Sequence, residues 1–128
     1  MNPLMVFLDA IRDHLDEHEL PPASTVSVST WSSPISVLLD VNRVAAVSSA
    51  LLRWASTLDL VSASIMRTEV SGSVHLAVRG RTSCGVPIQV YGAVAFDDDL
   101  FPDLPRNIRQ NLPLHTLRGW TDNEGAVA

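Results

Sequence analysis

His14 and His18 stand four positions apart in the run His14-Leu15-Asp16-Glu17-His18. On a helix this spacing stacks two imidazoles one turn apart, where they can share a tetrahedral zinc with Glu17 as a neighbouring general base. A zinc site needs a third protein ligand, and Glu69, His75 and His115 are the distant candidates. The run closes just before Pro21-Pro22, so the competing expectation is a solvated helix end that holds no metal. Asp97-Asp98-Asp99 with Asp103 offers carboxylates to calcium but lacks the turn glycine and closing glutamate of an EF-hand loop, and reads as a solvated loop. Cys84 is the sole cysteine, with Arg81 as its nearest cation and no histidine paired to it by local sequence, so an incidental thiol is expected. Gly80, Gly85 and Gly92 fall in or between strand-like runs rather than before a helix, which removes a phosphate-cradling loop. The expectation is therefore no catalytic residue, no cofactor and no resident metal, with a binding protein favoured over an enzyme.

A second group of residues has the chemistry of interfaces. Met66, His75, Arg79, Arg81, Gln89 and Tyr91 include the arginine and aromatic types that carry most binding energy where proteins meet. Whether they act together depends on the elements that position them.

The chain opens with Asn2-Pro3, a capping residue and a first-turn proline, followed by Leu4, Leu8, Ile11 and Leu15 at helical spacing with Phe7 beside them. Residues 25–31 and 35–39 alternate, and a four-residue loop between them pairs Val28 with Val37 and Val26 with Leu39. Asp40 or Asn42 is the expected cap of a second helix, whose stripe is Val44, Val47, Leu51, Trp54 and Leu58. Three strand-like runs follow at 61–70, 73–82 and 86–96, joined by a Ser71-Gly72 turn and a Ser83-Cys84-Gly85 loop. Those turns pair Ile65 with Val78, Val78 with Val90 and Leu76 with Gly92. Leu112, Leu114, Leu117 and Trp120 suggest a short closing helix or turn.

The fold class that follows is α+β, in the order α-β-β-α-β-β-β. An antiparallel sheet of about five strands is expected, with two helices on one face and a short C-terminal helix or turn. Residues 1–120 form one domain in this reading and 121–128 a flexible tail. Whether the two strand groups join into one sheet is left open by the sequence. The face away from the helices carries Ser62, Ser64, Met66 and Thr68 beside His75, Ala77, Arg79 and Arg81, then Gln89, Tyr91 and Ala93. Arg79 should lie opposite Gln89.

Bulk composition narrows the function classes. The chain has 128 residues and a net charge of -5, from 9 basic and 14 acidic side chains. A phosphate-binding surface usually needs the opposite balance, so nucleic acid is not expected as a partner. The early charges Asp9, Arg12 and Asp13 break the first apolar run, so neither a membrane partner nor a signal peptide is expected. A single cysteine suits a reducing compartment, and a cytoplasmic location is the default. Every basic residue is Arg, which fits a GC-rich coding sequence. With Leu51-Leu52-Arg53-Trp54-Ala55, the run from Ser73 to Arg81 and Tyr91-Gly92, about half of the chain resembles small proteins of GC-rich bacteria and their phages. That resemblance implies no activity. The leading expectation is a non-catalytic protein-interaction module that binds a protein partner or itself through the open sheet face. The alternative is a small-molecule-binding domain or minor enzyme with a pocket between helices and sheet beside Arg67 and Glu69, two charges expected to pair at the sheet rim.

Overall fold

The computed structural model describes residues 3–29, 35–68 and 72–121. Helix α1 covers Pro3–Glu17 and stops short of the double proline. Strands β1 (Ala23–Val28) and β2 (Ile35–Leu39) follow. Helix α2 (Val44–Ala55) comes next, with Arg43 in the extended backbone position before its first turn, so neither Asp40 nor Asn42 is its cap. Strands β3 (Asp59–Arg67), β4 (Ser73–Arg81) and β5 (Pro87–Ala95) form the long meander. A three-residue strand β6 (Gln110–Leu112) and helix α3 (Leu114–Thr121) complete the order. The α+β class holds, and helix α3 takes in Thr121, where a tail was expected to begin; residues 122–128 lie outside the described residues.

The sheet differs from the expectation. Among the described residues it has six strands in the order β1-β2-β5-β4-β3-β6, and it is mixed rather than purely antiparallel because β2 runs parallel to β5. The cause is one of parity. In a three-strand meander the first and third strands point the same way, so β5 copies the direction of β3. Helix α2 carries the chain from β2 across β5 and β4 to β3, leaving two positions that the meander then fills. The missed strand β6 is short and polar, and among the described residues it pairs only with β3.

Two hairpin registers also move. Val28 pairs with Ile35 and Val26 with Val37, two residues from the expected register, and a bulge lies between Ala23 and Thr25. Ile65 pairs with Leu76 and Ala63 with Val78, again a shift of two. Thr68 N–H donates to Ser73 C=O; Ser71 of the expected turn lies outside the described residues. A shift of two keeps every side chain on its face, because strand side chains alternate with period two. The β4–β5 pairing is as read from the sequence, with Val78 opposite Val90, Leu76 opposite Gly92, and Gly85 at φ +86° in the connecting loop.

One sheet face packs on the helices through buried Ile35, Val37, Leu76, Val78, Val90 and, from the helix side, Val47, Leu51 and Trp54. Gly92 lets α2 come close: a Cβ there would stand 2.8 Å from Val47 Cγ1. In α1 the buried residues are Ala10, Ile11 and His14, whereas Leu4, Leu8 and Leu15 of the expected stripe remain about 40% exposed. The helix is thus rotated from the expected orientation, and a histidine occupies the position a leucine was to fill.

Candidate functional site

The open face carries a recess of about 210 Å³, lined by Ser36, Ser64, Met66, His75, Ala77, Gln89, Tyr91 and Arg109. Register explains its shape. One cross-strand row contains Ser64, Ala77 and Tyr91, so two small residues, one of them buried Ala77, form the floor. The row on one side holds Met66 and His75, and the row on the other holds Gln89 opposite Ser36. Larger side chains on these rows rise around the floor as walls. His75 leans against Tyr91 along the diagonal, with ring centroids 5.7 Å apart.

Arg79 stands at the rim, and its Nε–H donates to Gln89 Oε1 at 3.0 Å. Partial burial, and then the like charge of Arg109, pull the Arg79 guanidinium below its ordinary pKa. Arg109 reaches this face because β6 is antiparallel to β3 with Gln110 opposite Ile65 and Asn111 opposite Ser64. Alternation then sends residue 109 to the side of Ser64 and Met66. Five of the six expected interface residues, Met66, His75, Arg79, Gln89 and Tyr91, therefore meet around one recess. Arg81 does not: its Nη1 donates to Gly85 C=O at 2.9 Å, at the hairpin end. Arg109 escaped the sequence reading because residues 106–111 show no alternating apolar pattern. A β3 edge in need of a partner was the available signal.

The histidine pair has a different environment. His14 is buried in the core, stacked on Trp54 with ring centroids 5.9 Å apart, while His18 lies 4.6 Å from it at the helix end. Thr57 Oγ1 donates to Trp54 C=O at 2.7 Å and stands 2.8 Å from His14 Nε2. A hydroxyl has one hydrogen, so His14 must be the donor in the second bond, and its Nε2 is occupied by a proton. Burial, then the like charge of His18, hold the His14 imidazole below its ordinary pKa against an opposing pull from Glu17. Among the described residues, no group of three or more His, Cys, Asp or Glu side chains is placed to hold a metal ion. Glu69 lies outside the described residues.

The remaining candidates serve local structure. Asp97 Oδ1 accepts the Asp99 backbone N–H at 2.9 Å and closes a turn. Cys84 is exposed, 3.2 Å from Thr82 Oγ1. Arg67 pairs with no carboxylate among the described residues; its guanidinium sits 3.6 Å over the Phe96 ring and reaches Leu104 C=O. Trp120 meets Phe101 edge-on at 5.4 Å and anchors α3.

No family model, no curated protein and no solved structure matches this chain. Among the described residues, no helix is long and apolar enough to cross a membrane. The site's own geometry is thus what bears on function.

Proposed function

We propose that this chain is a non-catalytic protein-interaction module whose open sheet face docks an acidic segment of a partner protein. The observation that carries the reading is that Arg109 lines the same recess as Gln89, which Arg79 holds, with no carboxylate paired to either arginine among the described residues. In a chain of net charge -5, two adjacent guanidiniums left uncompensated favour an acidic surface from outside. Tyr91 and Met66 beside them supply apolar contact area. The recess, at about 210 Å³, is smaller than the roughly 300–1,000 Å³ of pockets that enclose a whole small molecule. Its size suits one side-chain group. Self-pairing of this face about a two-fold axis is disfavoured, since it would gather four guanidiniums.

Selection from a random peptide library displayed on phage tests the reading. The purified chain should enrich sequences that are acidic and aromatic, and the Tyr91→Ala and Arg79→Glu variants should lose them. Enrichment that is indifferent to both substitutions would sink the proposal.

Self-association has a separate support. Leu4, Met5, Leu8 and Leu15 expose large apolar side chains on α1, which packs beside the edge strand β1 with its own exposed Val26. Unpaired strand edges and exposed apolar patches both favour association with a second copy. Light scattering across a concentration series should then show a dimer that Leu8→Glu dissolves, and a monomer at every concentration would exclude it.

A further inference from the structure

The polar groups of the recess are unevenly divided between donors and acceptors. An arginine side chain has only donors, so the Gln89 atom that Arg79 meets at 3.0 Å is the carbonyl oxygen. The amide NH₂ of Gln89 is then the end left for the recess. Ser36, Ser64 and Tyr91 contribute hydroxyls with no side-chain hydrogen bond among the described residues. Arg109 contributes a guanidinium that likewise makes no hydrogen bond or ion pair among them. Among the described residues, no Asp or Glu lines the recess. His75, whose ring leans on Tyr91, adds an imidazole that can turn a ring N–H to the recess. A cavity with a cation, an amide donor, an imidazole and three rotatable hydroxyls is matched by an acceptor with several lone pairs and a negative charge.

We infer that the recess is a carboxylate subsite, in which one carboxylate of the docked segment is held by Arg109, Gln89, Ser36, Ser64 and Tyr91. The inference rests on the docking reading above and names the group that is recognised. Arg79 acts as a positioning residue that turns the Gln89 amide, and it adds positive charge at the rim. The walls choose carboxylate over phosphate. Met66, Ala77 and the Tyr91 ring present apolar surface to a methylene stem, and one guanidinium reaches into the cavity. A phosphate, with close to two charges and three outer oxygens, calls for a cluster of cations. The carboxylate can come from a Glu or Asp side chain or from a chain terminus, since the subsite reads the group they share.

Titration of the ¹⁵N-labelled full chain by NMR tests this with four probes. They are a blocked Gly-Glu-Gly peptide, its Gly-Gln-Gly counterpart, a triglycine with a free C-terminal carboxylate, and inorganic phosphate. Saturable shifts of the Gln89 side-chain NH₂ and the Ser64 and Tyr91 amides are expected with the Glu peptide, the free-carboxylate peptide, or both. Which of the two binds identifies the source of the group. The Gln peptide and phosphate should leave those signals in place. Arg109→Gln, at an exposed position, should keep the melting temperature and weaken binding by roughly tenfold or more, about 1.4 kcal/mol. Equal shifts with the Gln peptide, binding of phosphate alone, or indifference to Arg109→Gln would overturn the subsite. A phage-selected peptide that requires Tyr91 but ignores Arg109→Gln would overturn it too, while leaving the docking face standing.

Discussion

Arg79 and Gln89 face each other across the β4–β5 pair, joined by an Nε–H to Oε1 hydrogen bond of 3.0 Å. The bond satisfies the acceptor end of Gln89 and leaves its donor end for the recess, which makes this pair the hinge between sheet register and binding chemistry. Gln89→Glu should separate the two roles. A carboxylate at residue 89 gains a charge-assisted bond from Arg79, so the midpoint of urea unfolding should hold or rise, by up to about 1 kcal/mol. The same carboxylate places an acceptor and a negative charge in the recess. Affinity for the acidic peptides should fall by an order of magnitude or more, while a loss of stability without a loss of affinity would contradict the assignment.

At Gly92 helix α2 packs tightly on the sheet, and a Cβ there would meet the side chain of Val47. Val47 is completely buried, so its γ-methyls have nowhere to retreat. Gly92→Ala should therefore destabilise the chain by roughly 1–3 kcal/mol through overpacking. Combining it with Val47→Ala should recover part of that loss, giving a coupling between the two positions in a double-mutant cycle of urea midpoints. Strict additivity would show that the glycine serves something other than helix approach.

The buried His14 gives the stability a pH dependence of definite sign. Its folded-state pKa is lowered, chiefly by burial, whereas an unfolded histidine titrates at about 6.5. Below that value the unfolded chain binds a proton that the folded chain resists, so unfolding takes up protons and stability falls as pH falls. The contribution is complete above the unfolded value and is lost progressively as pH drops toward the folded one. In His14→Gln, whose amide can still donate to Thr57, the decline between neutral and mildly acidic pH should be shallower than in the parent chain. Urea midpoints collected across that range provide the comparison, and parallel curves would remove His14 as the source.

Much of the candidate site is legible in the amino-acid sequence. Loop length and alternation in residues 73–96 leave one consistent pairing of β4 with β5, and that pairing puts His75, Arg79, Gln89 and Tyr91 on one face, which Met66 joins through the β3–β4 pairing. The expected β3–β4 register is two residues off, yet the faces survive, because an even shift preserves alternation. The orientation of α1 is legible only in part: Ile11 and Phe7 face the core as expected, and Leu4, Leu8 and Leu15 do not. Leu4, Leu8 and Leu15 are more apolar than His14, but His14 finds Thr57 and Trp54 in the interior and is buried in their stead.

The amino-acid sequence by itself determined helices α1 and α2, strands β1 to β5 and the side of the sheet on which most of their residues lie, since both follow from local periodicity. Only the tertiary structure decided which strands are neighbours across long separations. The parallel join of β2 to β5 and the addition of β6 beside β3 belong to that class. These contacts depend on where a helix crossing and a returning meander leave space, a property of the assembled chain that no window of residues encodes. Ser36 and Arg109 complete the recess through those two contacts, so its chemistry was spread along the sequence and assembled by the fold.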